Sequence, residues 1–215
     1  MINLKKGDAP VSLTKGSGIV LNCSWDSDTD YDLVALVLYK DGHVETVATF
    51  GAETKPRVTP NAVFPQEKTP DGAVIHGGDA VNGQGDSGET INVTLNDNIR
   101  AIVPVCYSAQ SNGVGSFKQY MVSMTVSDGA GQTAKVEAIH ASNDSNIYTC
   151  VPGWVENTDS GVLVHYLEAY SERNSENRPI VRFKQVKKGM FSRAEPTDQV
   201  EIVMDKGPRN DDKRF

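Results

Sequence analysis

The chain has 215 residues, 38% of them hydrophobic, with 28 acidic against 21 basic side chains and a net charge of -7. That length buries a core without staples, and an acidic chain with few basic residues before position 170 is a poor partner for nucleic acid. The opening MINLKKGDAPVSL is not leader-like, and no apolar run approaches the roughly 18 residues a membrane span needs. A soluble, cytoplasmic protein is expected, with peripheral attachment to a membrane left open.

In chain order, short runs rich in β-branched and aromatic residues follow one another with almost no helical spacing. They are residues 19–25, 33–40, 43–50, 73–76, 90–95, 100–108, 118–126, 133–141, 147–156 and 162–170. TINVTL alternates cleanly, with Ile91, Val93 and Leu95 on one face and Thr90, Asn92 and Thr94 on the other. Asp41-Gly42, Asp128-Gly129 and Asp159 to Gly161 supply turns between neighbouring runs. An α/β sheet would need intervening helices, and the one helix-like stretch, 109–120, carries two glycines. The expected fold is all-β, an antiparallel β-sandwich of about ten strands with a short C-terminal extension.

Three units are expected: a sandwich over 1–171, a basic extension over 172–204 and a disordered tail over 205–215. IVRFKQV and QVEIVM read as a final strand pair or an edge extension. The surrounding arginines and lysines suit a solvated hairpin face or a contact with an acidic partner. Cys23, Cys106 and Cys150 are far apart, each in an apolar strand, and read as reduced core residues. A Cys106–Cys150 disulfide is the alternative weighed.

The chemistry concentrates in two acidic stretches. WDSDTDYDL places Asp26, Asp28, Asp30 and Asp32 at every second position, about 7 Å apart along one face if extended. Such a row repels itself unless a cation sits among it. It is not an EF-hand loop, since Tyr31 stands where glycine is needed and Val37 where a bidentate glutamate is needed. The second stretch, HGGDAVNGQGDSGE, offers Asp79, Asp86, Glu89 and the Asn82 amide. Its glycines, Gly77 and Gly83 among them, let backbone carbonyls face inward beside His76. An all-oxygen donor set points to Ca²⁺; with one imidazole and no nearby thiol Zn²⁺ is disfavoured, and Mg²⁺ tends to keep its waters.

INLKKGDAPVSLTKG at the start, then Trp25, Asp26, Tyr31, Asp32 and Leu33, then PDGAVIHGGD…NGQGD…E from Pro70 to Glu89 together resemble the TerD family of tellurium-resistance and stress-response proteins. The likeness runs in order from about residue 2 to about residue 171. It implies a cytoplasmic, non-enzymatic, calcium-binding β-sandwich that works with protein partners of a stress-response complex. Two departures remove expected ligand oxygens. Asp32-Leu33-Val34 stands where the family has D-L-D, and Gly78-Asp79-Ala80 and Asp86-Ser87-Gly88-Glu89 replace G-D-N and G-D-D-E. Asp28 and Asp30 are placed to compensate for the first. Other readings of the same residues are a hydrolase with a metal-bound water beside His76, and a nucleotide- or oxyanion-binding module.

Overall fold

The ten runs become ten strands, and two short strands precede them. The computed structural model describes residues 1–16, 18–26, 30–49, 66–78, 80, 88–108, 115–138, 143–187 and 193–208. Their strands are β1 Ile2–Leu4, β2 Val11–Leu13, β3 Ile19–Ser24, β4 Asp32–Tyr39, β5 Val44–Val47, β6 Val74–His76 and β7 Glu89–Val93. They continue with β8 Ile99–Tyr107, β9 Ser123–Ser127, β10 Thr133–Glu137, β11 Thr149–Thr158, β12 Gly161–Tyr170, β13 Ile180–Lys187 and β14 Ala194–Val203. No α-helix occurs among the described residues, and no helix is long and apolar enough to cross a membrane.

Two six-stranded sheets face each other, in the orders β1-β10-β9-β3-β7-β6 and β2-β12-β11-β8-β4-β5. Pairing is antiparallel except for β1 against β10. The strands β1 and β2 thus send one short N-terminal segment to an edge of each sheet. Strand β9 begins later than the apolar pattern suggests, because backbone bonds such as Tyr120 N–H to Ser116 C=O coil residues 116–121 into turns.

Alternation decides what fills the space between the sheets. Ile91 and Val93 of β7, Leu21 and Cys23 of β3, and Leu33, Ala35 and Val37 of β4 all point inward and are buried. The outer face of the second sheet is also covered. Val34, Leu36 and Leu38 form a second cluster with Val103, Val105 and Val151, closed over by Val181, Phe183, Val200, Ile202 and Met204. The cover is the C-terminal extension. Strands β13 and β14 pair only with each other, with Ile180 opposite Val203 and Arg182 opposite Glu201. The hairpin is therefore a third layer on the second sheet rather than an edge strand of either.

Two expectations need correction. Cys23 of β3 and Cys106 of β8 are joined between the sheets, and only Cys150 is a free, buried thiol. The three-thiol reading and the Cys106–Cys150 alternative both fail because the facing positions of the two sheets, not sequence neighbourhood, choose the pair. The tail is also held further than expected. The Asp205 carboxylate accepts the Glu172 N–H at 2.8 Å, and Arg178 exchanges backbone bonds with Gly207 and Pro208. Residues 209–215 lie outside the described set.

Candidate functional site

Both acidic stretches leave from one end of the sandwich. Strand β3 ends at Ser24 and β4 begins at Asp32, while β6 ends at His76 and β7 begins at Glu89. Register fixes their neighbourhood: Glu89 lies opposite Cys23, His76 opposite Ile91, and Leu33 opposite Cys106. The strand ends that flank 25–31 and 77–88 therefore lie on neighbouring strands, beside the point where Cys23 and Cys106 join the sheets.

A polar clasp lies beside that bridge. The Leu33 N–H donates to Glu89 Oε2 at 2.5 Å, and the Ala80 N–H donates to Oε1 at 3.2 Å. His76 Nε2 donates to the Leu33 carbonyl at 2.9 Å and stands 3.4 Å from Glu89 Oε2. Its other nitrogen, Nδ1, accepts the Gly78 N–H at 3.1 Å, so both ring nitrogens are engaged. Both side chains are essentially fully buried. Burial pushes the Glu89 carboxyl above its ordinary range, and the bonds from His76 and Leu33 oppose that shift. The buried Glu89 carboxyl is thus held by amides from both connecting ends.

Below the first acidic stretch lies an aromatic floor. Tyr31 packs against Trp25 and Phe117 at ring-centre distances of 5.4 Å each, and against Tyr120 at 6.4 Å. Its hydroxyl donates to the Gly115 carbonyl, and burial raises its pKa. Asp26 is exposed, and its N–H is tied to the Tyr120 carbonyl at 2.7 Å; Asp30 is half-buried. Asp32 is buried; alternation with the inward Leu33 puts it on the outer face with Val34, opposite Tyr107. The Tyr107 hydroxyl on that face donates to Glu176 at 2.9 Å.

Of the residues expected to form the site, Asp26, Asp30, His76, Gly77 and Glu89 lie at this end, where the structure brings His76 and Glu89 together, with Asp32 on the outer side. Asp28, Asp79, Asn82, Gly83 and Asp86 lie outside the described residues. Among the described residues alone, no group of three or more His, Cys, Asp or Glu is spaced to hold a metal ion. The donors present at the surface of this end are oxygens, which suits a hard cation. The only described free thiol, Cys150, is fully buried, and burial pushes its pKa well up, so it makes a poor nucleophile.

Two glycines fix how the second connection leaves the sheet. A Cβ on Gly77 would stand 2.1 Å from Thr90 Oγ1, and one on Gly88 would stand 1.8 Å from the Cys23 carbonyl oxygen. The obstacle at Gly88 is backbone of β3, which cannot swing aside. Gly88→Ala is expected to cost about 3 kcal/mol, the upper end of overpacking penalties, and to lower the melting temperature by roughly 6–12 °C. A thermal melt that matches the parent protein would show that the Gly88 backbone does not lie against β3.

Sequence reasoning did not find the clasp or the bridge. The first pairs His76 with a backbone carbonyl, which has no residue signature; the second joins positions 83 residues apart.

No family model and no curated protein matches the sequence. Among solved structures, the chain is similar to a homologue of telluride resistance protein (TerD) from Streptomyces coelicolor A3(2). The two share 16% sequence identity over 74% of this chain and 91% of that one, with a TM-score of 0.46.

Proposed function

We propose that this protein is a non-enzymatic, calcium-binding β-sandwich of the TerD type, acting through protein partners in a cytoplasmic response to tellurite or related stress. What supports the calcium reading is that the strand ends flanking the two acidic stretches lie together at one end of the sandwich, with Glu89 opposite Cys23 and Leu33 opposite Cys106. The quoted motifs from Ile2 to Glu89 support the family. Asp26, Asp28, Asp30, Asp79, Asp86 and carbonyls of the 77–88 connection are the proposed ligands. Glu89 acts from beneath as the anchor that orients them, and Asp32 contributes from the outer side. The engagement of both His76 nitrogens supports a binding role over a metal hydrolase that uses His76 as base.

Calcium should stabilise the fold and magnesium should do so much less. Seven carboxylates in two stretches approach one another on folding, and that repulsion opposes the native state unless a cation is bound. A ligand bound only by the folded chain adds about 2.7 kcal/mol at one hundred times its Kd. For this size that raises the melting temperature by roughly 5–10 °C. Replacing Asp79→Asn together with Asp86→Asn should remove most of the shift without weakening the calcium-free protein. If chelator leaves the melt unchanged and added calcium restores nothing, the cluster is a solvated pair of loops and the calcium reading falls.

A further inference from the structure

Register lays one row of side chains across four strands of the second sheet. Leu33 of β4 lies opposite Cys106 of β8, Cys106 opposite Cys150 of β11, and Cys150 opposite Tyr170 of β12. All four pack into the core between the sheets. Cys106 therefore has two sulfur neighbours. Its bond crosses that core to Cys23 of β3, and the free Cys150 thiol stands beside it on the adjoining strand. Directly opposed residues of an antiparallel pair have Cα atoms about 4.5–5.5 Å apart, inside the roughly 4.4–6.8 Å that a disulfide spans. Cys106 can thus bond to either neighbour without moving a strand.

On its other side Cys150 meets a polar chain. Its thiol hydrogen-bonds the Tyr170 hydroxyl. That hydroxyl donates to Glu168 Oε1 at 3.0 Å, and the Tyr166 hydroxyl donates to Oε2. Glu168 has a left-handed backbone, φ 50°, at the point where the β11–β12 ladder jumps from Val151–Ala169 to Gly153–Tyr166. A non-glycine residue holds that conformation at a cost, and packing alone gives no reason for it. Phe117 lies 6.1 Å from Tyr170 and 5.4 Å from Tyr31, so aromatic rings flank the thiol. Burial keeps Cys150 protonated and away from reagents in solution. The electrophile within its reach is the sulfur next to it, and proximity offsets its weakness as a nucleophile.

We propose that Cys150 is an internal resolving thiol for the Cys23–Cys106 bridge, so that Cys106 exchanges its bond between two partners. The Cys150 sulfur attacks Cys106 Sγ; the Cys106–Cys150 bond forms as the Cys23–Cys106 bond breaks, and Cys23 leaves with the electron pair. The Cys150 proton passes to Tyr170, whose own proton goes to Glu168. Glu168 gives a proton up again as the Cys23 thiolate takes one. One disulfide and one thiol stand on each side, so no oxidant or reductant is consumed. What changes is the fastening. A bridge between the sheets becomes a bridge within the second sheet, and the free thiol moves to β3, the strand that leads into the first acidic stretch. The proposal does not rest on calcium binding.

The test holds the full oxidised chain in mildly alkaline buffer well below its melting temperature. Samples are quenched in acid and digested at low pH, and disulfide-linked peptides are mapped by mass spectrometry. Peptides joined Cys106–Cys150 should grow at the expense of those joined Cys23–Cys106 over minutes to hours. The rate should be independent of protein concentration, and the thiol count should not change. Tyr170→Phe keeps the ring and should slow the exchange by about a hundredfold, as loss of a positioned proton acceptor does, while leaving the final ratio of the two linkages alone. Cys23→Ser, refolded from denaturant in a glutathione redox buffer, should lose both remaining thiols to a Cys106–Cys150 bond. A map that holds only Cys23–Cys106 after a day, a rate that rises with protein concentration, or a natively folded Cys23→Ser chain that keeps both thiols would each overturn the proposal. So would three thiols in the oxidised chain, which leave no bridge to exchange. Exchange as fast in Tyr170→Phe as in the parent would overturn the role given to Tyr170.

Discussion

A chain ended after Tyr170 should aggregate under conditions in which the full chain stays in solution. The outer face of the second sheet carries Val34, Leu36, Leu38, Val103, Val105 and Val151, none more than 4% exposed while the hairpin covers them. Removing β13 and β14 opens that surface as one contiguous apolar patch, the kind of exposed area that promotes association. It also deletes two polar fastenings: the Glu176 carboxylate that accepts the Tyr107 hydroxyl, and the Ser171 hydroxyl that accepts the Tyr148 and Thr149 amides. Light scattering and binding of a hydrophobic dye should both rise sharply. Adding Leu36→Lys and Val103→Thr to the shortened chain should lower both, because these outward positions then suit water. If the shortened chain stays clear and melts with the full one, the hairpin is a dispensable cover and the sandwich closes without it.

That third layer is legible in the apolar pattern of the strands it covers. LVALVLY and IVPVCY are near-continuous apolar runs, and a strand of that kind is buried on both faces. TINVTL, covered on one side only, alternates instead. Within the extension, Val181 and Phe183 alternate with Arg182 and Lys184, so the apolar stripe was present under the more conspicuous charges. Arg182 meets Glu201 at 2.8 Å on the exposed side, where such a pair contributes little. The strands β1 and β2 have three residues each and lie below the length at which alternation can be recognised. For the candidate site, the acidic spacing singles out both stretches because like charges at close intervals need an explanation. What holds those connections in place depends on register between distant strands, and no local pattern encodes it.

The Cys23–Cys106 bridge is the strongest single constraint on that end of the molecule, and breaking it should cost about 4–5 kcal/mol. The bridge links residues 83 apart in sequence, and closing a loop of that length removes correspondingly large freedom from the unfolded chain. For a protein of this size the loss should appear as a melting temperature lower by roughly 8–20 °C, either in reductant or in the Cys106→Ser variant. Cys150→Ala should leave the reductant effect intact, since Cys150 takes no part in the bridge. A thiol count in denaturant, after rapid alkylation, decides the state directly. One thiol is the bridged protein; three would mean that Cys23 and Cys106 meet only as packed thiols. The consequence reaches the acidic connections, because Cys23 lies opposite Glu89 and Cys106 opposite Leu33, the two ends of the Glu89 clasp. Reduction should therefore loosen the base from which both connections rise and weaken calcium binding along with the fold. A calcium-induced melting shift that is the same size with and without reductant would separate the two, leaving the bridge as a fastening of the sheets alone.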